Sequence, residues 1–257
     1  MKNKIKKILR WSQKYTKTDM FYATKGGFWL VLNKVGLLIV SFITMFAFGN
    51  WLDQGSFGVY QYILSGTVMA GIFSLLGINT SLIKSITKSK EGTLWIATKE
   101  RFRWSILGSL GLLIASGWYF INGNILLGGG FLIAGILMPG EKVLTLFLSF
   151  WNGRKDFKKY MQYSLGYAFL SLLILIPAIY LTNNVLMIIF AYFISHIIFA
   201  GLFFLKTLKQ VKNDEVDETV IPFGKNLTVM NVVETIASHI DKVIVWQFLG
   251  PIQVAIY

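Results

Sequence analysis

Apolar residues run in seven long stretches along this chain of 257 residues, separated by short polar segments. Each stretch approaches or exceeds the about 20 residues that a helix needs to cross a bilayer. The stretches cover residues 26–50, 58–83, 104–122, 125–150, 161–182, 185–205 and 226–249. Two of the separating segments are turns of three residues, which place successive helices antiparallel. The pattern predicts an all-α fold, a polytopic bundle of transmembrane helices.

Lysine and arginine collect in alternate connections between the predicted spans. Of the 25 basic residues, 22 lie in residues 1–25, 84–103, 152–160 and 206–225, and none lies in the intervening connections. Because basic loops stay on the cytoplasmic side of a membrane, this asymmetry predicts a multi-pass protein with a cytoplasmic N-terminus. The same asymmetry accounts for the net charge of +13 without a nucleic-acid partner.

The first 25 residues are basic but carry a few apolar side chains, among them Ile5, Ile8 and Leu9. Apolar residues on one side of a lysine-rich helix are typical of a segment that lies on an anionic membrane surface. We therefore interpret residues 1–25 as a basic interfacial segment. A frayed basic tail is the alternative.

The stretch WLDQGSFGVY at residues 51–60 is weakly similar to FLGPIQVAIY at residues 248–257. At the same offset of 197 residues the first span aligns with the seventh, with eight identities in 36 positions. Six spans separate the starts of the two copies, so they run in the same direction, as in the parallel repeats of transporters. Two unrelated spans of similar composition remain the alternative.

The repeat divides the chain into lobes. It predicts a first lobe of six helices at 26–205, a cytoplasmic linker at 206–222, and the first helix of a second, pseudo-symmetric lobe at 223–257. On this interpretation the second lobe is cut short, and the chain is expected to be the front part of a longer protein.

Six ionisable residues other than histidine fall inside the predicted spans: Lys34, Glu141, Lys142, Glu234, Asp241 and Lys242. A charge at the bilayer centre costs about 3 kcal/mol, so such residues usually face a cavity or mark a substrate or ion path. Lys34 and Lys242 lie near span ends, where a long side chain can also reach the headgroups.

Glu141 and Lys142 lie deepest, directly after Pro139-Gly140. Neighbours on a helix point about 100° apart, so we expect each to pair with another helix or with water. A role in a cavity and a purely structural interhelical pair both remain open.

The seventh span carries polar residues at steps of three and four, namely Asn231, Glu234, Ser238 and Asp241. This spacing predicts one polar stripe on an apolar helix. Lining of a cavity and hydrogen-bonded packing against another helix are the two interpretations.

Several kinds of chemistry have no sequence signature here. The chain has no cysteine, no Walker sequence, no glycine-rich dinucleotide fingerprint, no HExxH and no paired catalytic carboxylates on a loop. We therefore predict that it is not an enzyme, has no catalytic residue, and binds no metal or cofactor.

Three segments resemble a known family: FGVYQYILSGTVMAGIFSLLGINTSLIKSITKSKEGT (57–93), FLSFWNGRKDFKKY (147–160) and DKVIVWQFLGPIQVAIY (241–257). They are similar to Wzx-type polysaccharide flippases of the multidrug/oligosaccharidyl-lipid/polysaccharide exporter superfamily. The resemblance implies two six-helix lobes around a central cavity in the inner membrane. It also implies translocation of undecaprenyl-diphosphate-linked oligosaccharide for O-antigen or capsule synthesis.

The resemblance suggests roles for the charges in the spans. Lys34, Lys142 and Lys242 are candidates to hold the anionic headgroup. Candidates for ion coupling or cavity lining are Glu141, Asn231, Glu234, Ser238 and Asp241. The implied partners are the lipid-linked oligosaccharide, membrane lipids and the polysaccharide polymerase machinery.

Other functions remain open beside this one. One is a drug or cation exporter of the same superfamily, and another is a polysaccharide-assembly subunit without transport activity. A membrane-embedded polymerase or acyltransferase is disfavoured, because the loops on the outer side are short and Asp53 is their only ionisable side chain.

Overall fold

The computed structural model describes residues 20–256, with side chains from Thr24 onward. The interfacial segment predicted at 1–25 therefore lies almost wholly outside the described residues. The helices are α1 Met20–Trp51, α2 Gln54–Ala70, α3 Ile78–Thr87, α4 Thr93–Ile121, α5 Ile125–Leu144, α6 Leu146–Gly153, α7 Phe157–Leu181, α8 Val185–Leu208, α9 Val220–Ala237, α10 Ile240–Leu249 and α11 Pro251–Ile256. A short 3-10 helix, Gly71–Ser74, extends α2.

Within the described residues there is no strand, and five helical segments are long and apolar enough to cross a membrane. They are Thr24–Trp51, Thr93–Ile121, Ile125–Gly153, Phe157–Leu181 and Val185–Leu208. The pair Gln54–Ser74 and Ile78–Thr87 makes a sixth if its two bent halves form one span. The predicted all-α, polytopic transmembrane bundle is confirmed.

The second predicted span, 58–83, is not one straight helix. The axis of the second half is bent by 51° from that of the first, and Leu75 between them adopts a left-handed backbone conformation with φ of 55°. The backbone N–H of Gly77 donates to Oγ1 of Thr228 on α9 at 3.0 Å. A side chain at Gly77 would overlap the carbonyl oxygen of Gly224. The bend therefore comes from α9 crossing the break, a tertiary contact that the local sequence does not contain.

The seventh predicted span, 226–249, is wrong as a single helix. Helix α9 ends at Ala237, α10 begins at Ile240, and His239 between them has φ of −133°. The hydroxyl of Ser238 donates to the carbonyl of Glu234 at 2.7 Å. A serine hydroxyl that bonds back to the preceding turn competes with the backbone and bends helices, which gives a physical reason for the break.

The three basic connections meet at one end of the bundle, which we call the basic end. There side-chain hydrogen bonds join α3 to the end of α6 and join the segment 209–219 to α3 and to Glu91. The basic connection 84–103 is shorter than predicted, because α4 begins at Thr93 and not at 104.

The interior holds two apolar clusters. The first contains Tyr60, Ile63, Phe131, Met138 and Phe193, among others. The second lies toward the basic end and includes Leu82, Leu94, Ala97, Leu146 and Trp151. On α5 the first cluster ends at Met138, and the second begins at Leu146 on α6. The residues between them, including Glu141 and Lys142, therefore occupy a level between two apolar layers.

Helix α1 lies at the edge of the bundle and packs chiefly on α7. A Cβ added at Gly26 would lie 2.7 Å from Phe157, and one at Gly36 would lie 2.5 Å from Leu165, so these glycines let the helices approach closely. The other side of α1 exposes large apolar side chains such as Phe42 and Met45. An exposed apolar face of this kind suits contact with lipid.

Candidate functional site

Glu141 and Lys142 form an ion pair inside the bundle. The Lys142 Nζ lies 2.9 Å from Oε2 of Glu141, and the two side chains are only 19% and 11% exposed. The expectation that they would turn to separate partners was therefore wrong, because both side chains are long enough to bend toward each other. Lys142 also lies against the 3-10 helix, where a Cβ at Gly71 would be 3.3 Å from its Cε.

Pro139 shapes the helix just before this pair. A proline in a helix has no N–H for the carbonyl four residues earlier, here that of Gly135. The hydroxyl of Ser109 on α4 donates to that carbonyl instead. Another serine of α4, Ser116, donates to the carbonyl of Gly128 at 2.7 Å. These bonds fasten α5 to α4 and fix the level at which the charged pair lies.

Arg101 is a second cation in this region, and its interior position was not predicted from the sequence. The residue was counted in the basic connection, but α4 begins at Thr93 and carries it into the interior, where it is 2% exposed. Its Nη1 donates to Oδ1 of Asn79 at 2.5 Å, and Glu141 attracts it electrostatically. Its Nε has no hydrogen-bond partner among the described residues.

One signal could have revealed this placement. Buried residues of α4 recur before and after Arg101 at steps of three and four, namely Ala97, Ser105, Gly108 and Leu112. That spacing marks an inward face of a helix that starts well before the apolar run.

His196 of α8 borders the same region. Its Nδ1 lies 2.8 Å from the carbonyl oxygen of Tyr192, so that nitrogen is the donor. The ring packs between Tyr192 and Tyr167, with centroids 4.2 and 5.3 Å away, and it interacts electrostatically with Glu141. We call Arg101, Glu141, Lys142 and His196 the polar layer.

Lys242 lies elsewhere, beside a cavity of about 420 Å³ between α1, α2, α10 and α11. Its Nζ donates to Oε1 of Gln61 at 3.3 Å. Oδ1 of the neighbouring Asp241 accepts from the backbone N–H of Lys242. Below the cavity, Trp246 stacks on Tyr62 with centroids 4.4 Å apart, which holds α10 against α2.

The other predicted site residues, Lys34, Asn231, Glu234 and Ser238, belong neither to the polar layer nor to the cavity beside Lys242. Lys34 is exposed on α1. The stripe at Asn231, Glu234, Ser238 and Asp241 is interrupted by the break after Ala237, and Glu234 and Ser238 are exposed. The three candidate lysines are thus held on different elements and share no bonded partner in the described part of the chain. Nor do any three His, Cys, Asp or Glu side chains there converge as for a metal.

The basic end contains an ion pair that no local sequence pattern predicts. Arg154 Nε and Nη2 donate to the two oxygens of Glu91 at 2.6 and 2.5 Å. The backbone N–H of Lys212 donates to the same carboxylate at 2.7 Å, and the Arg154 guanidinium lies 4.5 Å from the Phe150 ring centre. Burial raises the pKa of Glu91, but the bonds from Arg154 and Lys212 outweigh it and leave that pKa below its usual value.

Asp217 anchors the segment that was predicted as a linker. Its carboxylate accepts from the hydroxyls of Thr219 and Ser85 at 2.7 and 3.2 Å and lies 3.4 Å from Lys88 Nζ. The hydrogen bond from Thr219 is the largest cause that holds the pKa of Asp217 well below its ordinary value, although burial opposes it. The segment 209–219 is therefore fastened to α3 and to the start of α4.

A bundle of apolar helices with ionised side chains held between two apolar layers defines a polytopic membrane protein with a polar interior. Residues 23–257 match the family model described as "Polysaccharide biosynthesis protein", and the chain belongs to this family. The family indicates a role in polysaccharide synthesis or export. Searches of curated proteins and of solved structures found no match.

Proposed function

We propose that the protein is a flippase that moves undecaprenyl-diphosphate-linked oligosaccharide across the inner membrane, with its N-terminus in the cytoplasm. The observation that carries the proposal is the polar layer in a member of a polysaccharide biosynthesis family. A diphosphate and a hydrated glycan cannot cross hydrocarbon unaided, so a carrier needs ionised groups between its helices.

The sign of the polar layer favours an anionic substrate. It contains two cations, Arg101 and Lys142, and one carboxylate, Glu141. A surplus of positive charge in a low-dielectric interior attracts phosphate and repels cations. This argues against the drug or cation exporter of the same superfamily.

The arrangement also provides a way for Lys142 to change partners. When a phosphate oxygen binds Lys142, Glu141 loses its ion-pair partner but still has Arg101 within electrostatic reach. The Glu141 carboxylate therefore still has a compensating positive charge nearby, and a buried charge without one is costly. The polyprenyl tail stays in lipid throughout, no covalent bond is made or broken, and alternating access carries the headgroup across.

Translocation of a fluorescent lipid-linked oligosaccharide in proteoliposomes tests the proposal. Lys142→Ala removes one charge-assisted hydrogen bond of about 1.5–3 kcal/mol, so we expect the rate to fall about 10- to 100-fold. Lys142→Arg keeps the charge and should retain most of the rate. Lys99→Ala, which removes an exposed lysine of α4, is the matched control. Unchanged rates for both Lys142→Ala and Glu141→Gln would remove the roles assigned here.

A further inference from the structure

A cationic pocket of about 360 Å³ lies at the basic end, apart from the polar layer. It is formed where the start of α1 meets the start of α7. Its walls include four basic side chains, one tryptophan and one carboxylate, namely Lys25, Arg154, Lys155, Lys158, Trp29 and Asp156. Gly26 lies at its base, where α1 touches Phe157.

Most of the positive charge in this pocket is uncompensated within the described residues. Arg154 is neutralised by Glu91. Oδ1 of Asp156, the only carboxylate among the lining residues that the structure describes, accepts from the backbone N–H of Lys159 as the N-terminal cap of α7. Lys25, Lys155 and Lys158 form no salt bridge in the described part of the chain. Three ammonium groups around one pocket suit an anion with several oxygens, such as a phosphate.

The surroundings of the pocket indicate that this phosphate belongs to a lipid. Trp29 forms one wall, with Lys158 Nζ 5.8 Å from its ring centre, and tryptophan beside lysine is typical of the headgroup level. Beyond the pocket, the face of α1 that carries Lys25 exposes an apolar strip of Phe28, Leu32 and Ile39, which follow Lys25 at steps of three, four and seven residues. A headgroup in the pocket would leave its hydrocarbon chain along this strip, whereas a soluble anion would gain nothing from it.

We propose that this pocket binds the phosphate of a lipid headgroup in the leaflet at the basic end, with the lipid chain lying along α1. Lys25, Lys155 and Lys158 contact the phosphate oxygens, and Trp29 shields one side of the site. The assignment does not depend on the flippase proposal, because an ordinary anionic phospholipid and a polyprenyl phosphate present the same group.

Lipid binding to the purified chain of 257 residues in detergent, measured by native mass spectrometry, tests the proposal. The probes are phosphatidylglycerol, undecaprenyl phosphate, phosphatidylcholine and inorganic phosphate. For Lys155→Gln/Lys158→Gln, we expect affinity for phosphatidylglycerol or undecaprenyl phosphate to fall about 30-fold, from about 1 kcal/mol for each lysine. The control Lys99→Gln/Lys209→Gln removes the same charge from exposed positions at the basic end and should leave both affinities unchanged.

The possible results separate the sources of the phosphate. Pocket-dependent binding of phosphatidylglycerol supports a bilayer phospholipid, and pocket-dependent binding of undecaprenyl phosphate alone supports the carrier lipid. An equal loss in the control double variant would overturn the proposal, because the attraction would then be diffuse. Inorganic phosphate that competes as strongly as the lipids, or phosphatidylcholine that binds equally well, would also overturn it. Trp29→Leu, which keeps every charge, should weaken lipid binding; an unchanged affinity would exclude the wall assigned to Trp29.

Discussion

The Glu91–Arg154 pair offers the sharpest test of how the basic end is held together. Both side chains are largely buried, with 8% and 13% exposed, and one edge of the guanidinium, Nε and Nη2, donates to both carboxylate oxygens. Removing one member of a buried pair typically costs 3–5 kcal/mol, because the other charge loses its compensation. Arg154 would keep its contacts with the Gln210 carbonyl and the Phe150 ring, so we expect about 3 kcal/mol for Glu91→Ala.

A double-mutant cycle measures the interaction itself. Glu91→Gln, Arg154→Gln and the double variant would be compared by reversible unfolding in mixed micelles, and we expect a coupling free energy of about 2 kcal/mol. The pair Glu100–Arg103, one turn apart on α4, is a matched control because the Arg103 side chain is 60% exposed. Its coupling should be only about 0.3–0.5 kcal/mol. If the Glu91–Arg154 coupling is no larger than that of the control, the claim that this pair fastens the basic end is refuted.

The same pair sets a direction for pH dependence. The pKa of Glu91 is lowered in the folded protein, so the folded state favours its ionised form. The resulting stability is fully present above the ordinary glutamate pKa of 4.5 and is lost as the pH falls through the lower folded value. Wild type should therefore lose more stability than Glu91→Gln on acidification below pH 4.5. Parallel losses in the two proteins would contradict this.

Three further predictions concern the fold around the polar layer and the basic end. Ser109→Ala leaves the Gly135 carbonyl unpaired beside Pro139 and should lower the free energy of unfolding by about 1–3 kcal/mol. The control Ser238→Ala removes a hydroxyl that bonds to the carbonyl of Glu234, one turn earlier, and should lower the free energy of unfolding by less. Equal losses in the two variants would contradict the role of Ser109. Gly77→Ala forces a Cβ into the Gly224 carbonyl and should reduce the yield of folded protein, measured by size-exclusion chromatography. In the control Gly111→Ala, the added Cβ meets no atom of the described residues within 4 Å. A normal yield for Gly77→Ala would show that α9 does not cross there. Asp217→Asn removes the charge that Lys88 and two hydroxyls stabilise, so hydrogen exchange in residues 209–219 should accelerate, and unchanged exchange would show that Asp217 does not anchor the segment.

The sequence was sufficient for the fold class because apolar runs of about 20 residues have few other structural solutions. The ends of the runs were less predictable. Arg101 was assigned to a loop because it is a charged residue beside other basic residues, although its helix had already begun at Thr93. A local hydroxyl bond accompanies the break at Ser238 and His239, whereas the bend near Leu75 lies at a contact with α9 between residues 151 positions apart.

The candidate site was predictable only in part. Burial of Glu141 and Lys142 followed from their depth in an apolar run, but their pairing with each other depends on side-chain conformations. The separation of Lys34, Lys142 and Lys242 is a tertiary property, as is the meeting of Glu91, Arg154 and Lys212 from three distant connections. No local pattern of residues encodes these contacts.

The most direct test of the central claim is whether Lys142 can be reached from water and covered by substrate. Because the chain has no cysteine, Lys142→Cys introduces a single thiol, and Met138→Cys, at a fully buried position of the same helix, is the control. We predict that a charged, membrane-impermeant thiol reagent modifies the cysteine at 142 but not the one at 138, and that lipid-linked oligosaccharide slows the modification. A cysteine at 142 that stays unmodified, or is modified at the same rate with and without that lipid, would contradict a wet, substrate-binding polar layer.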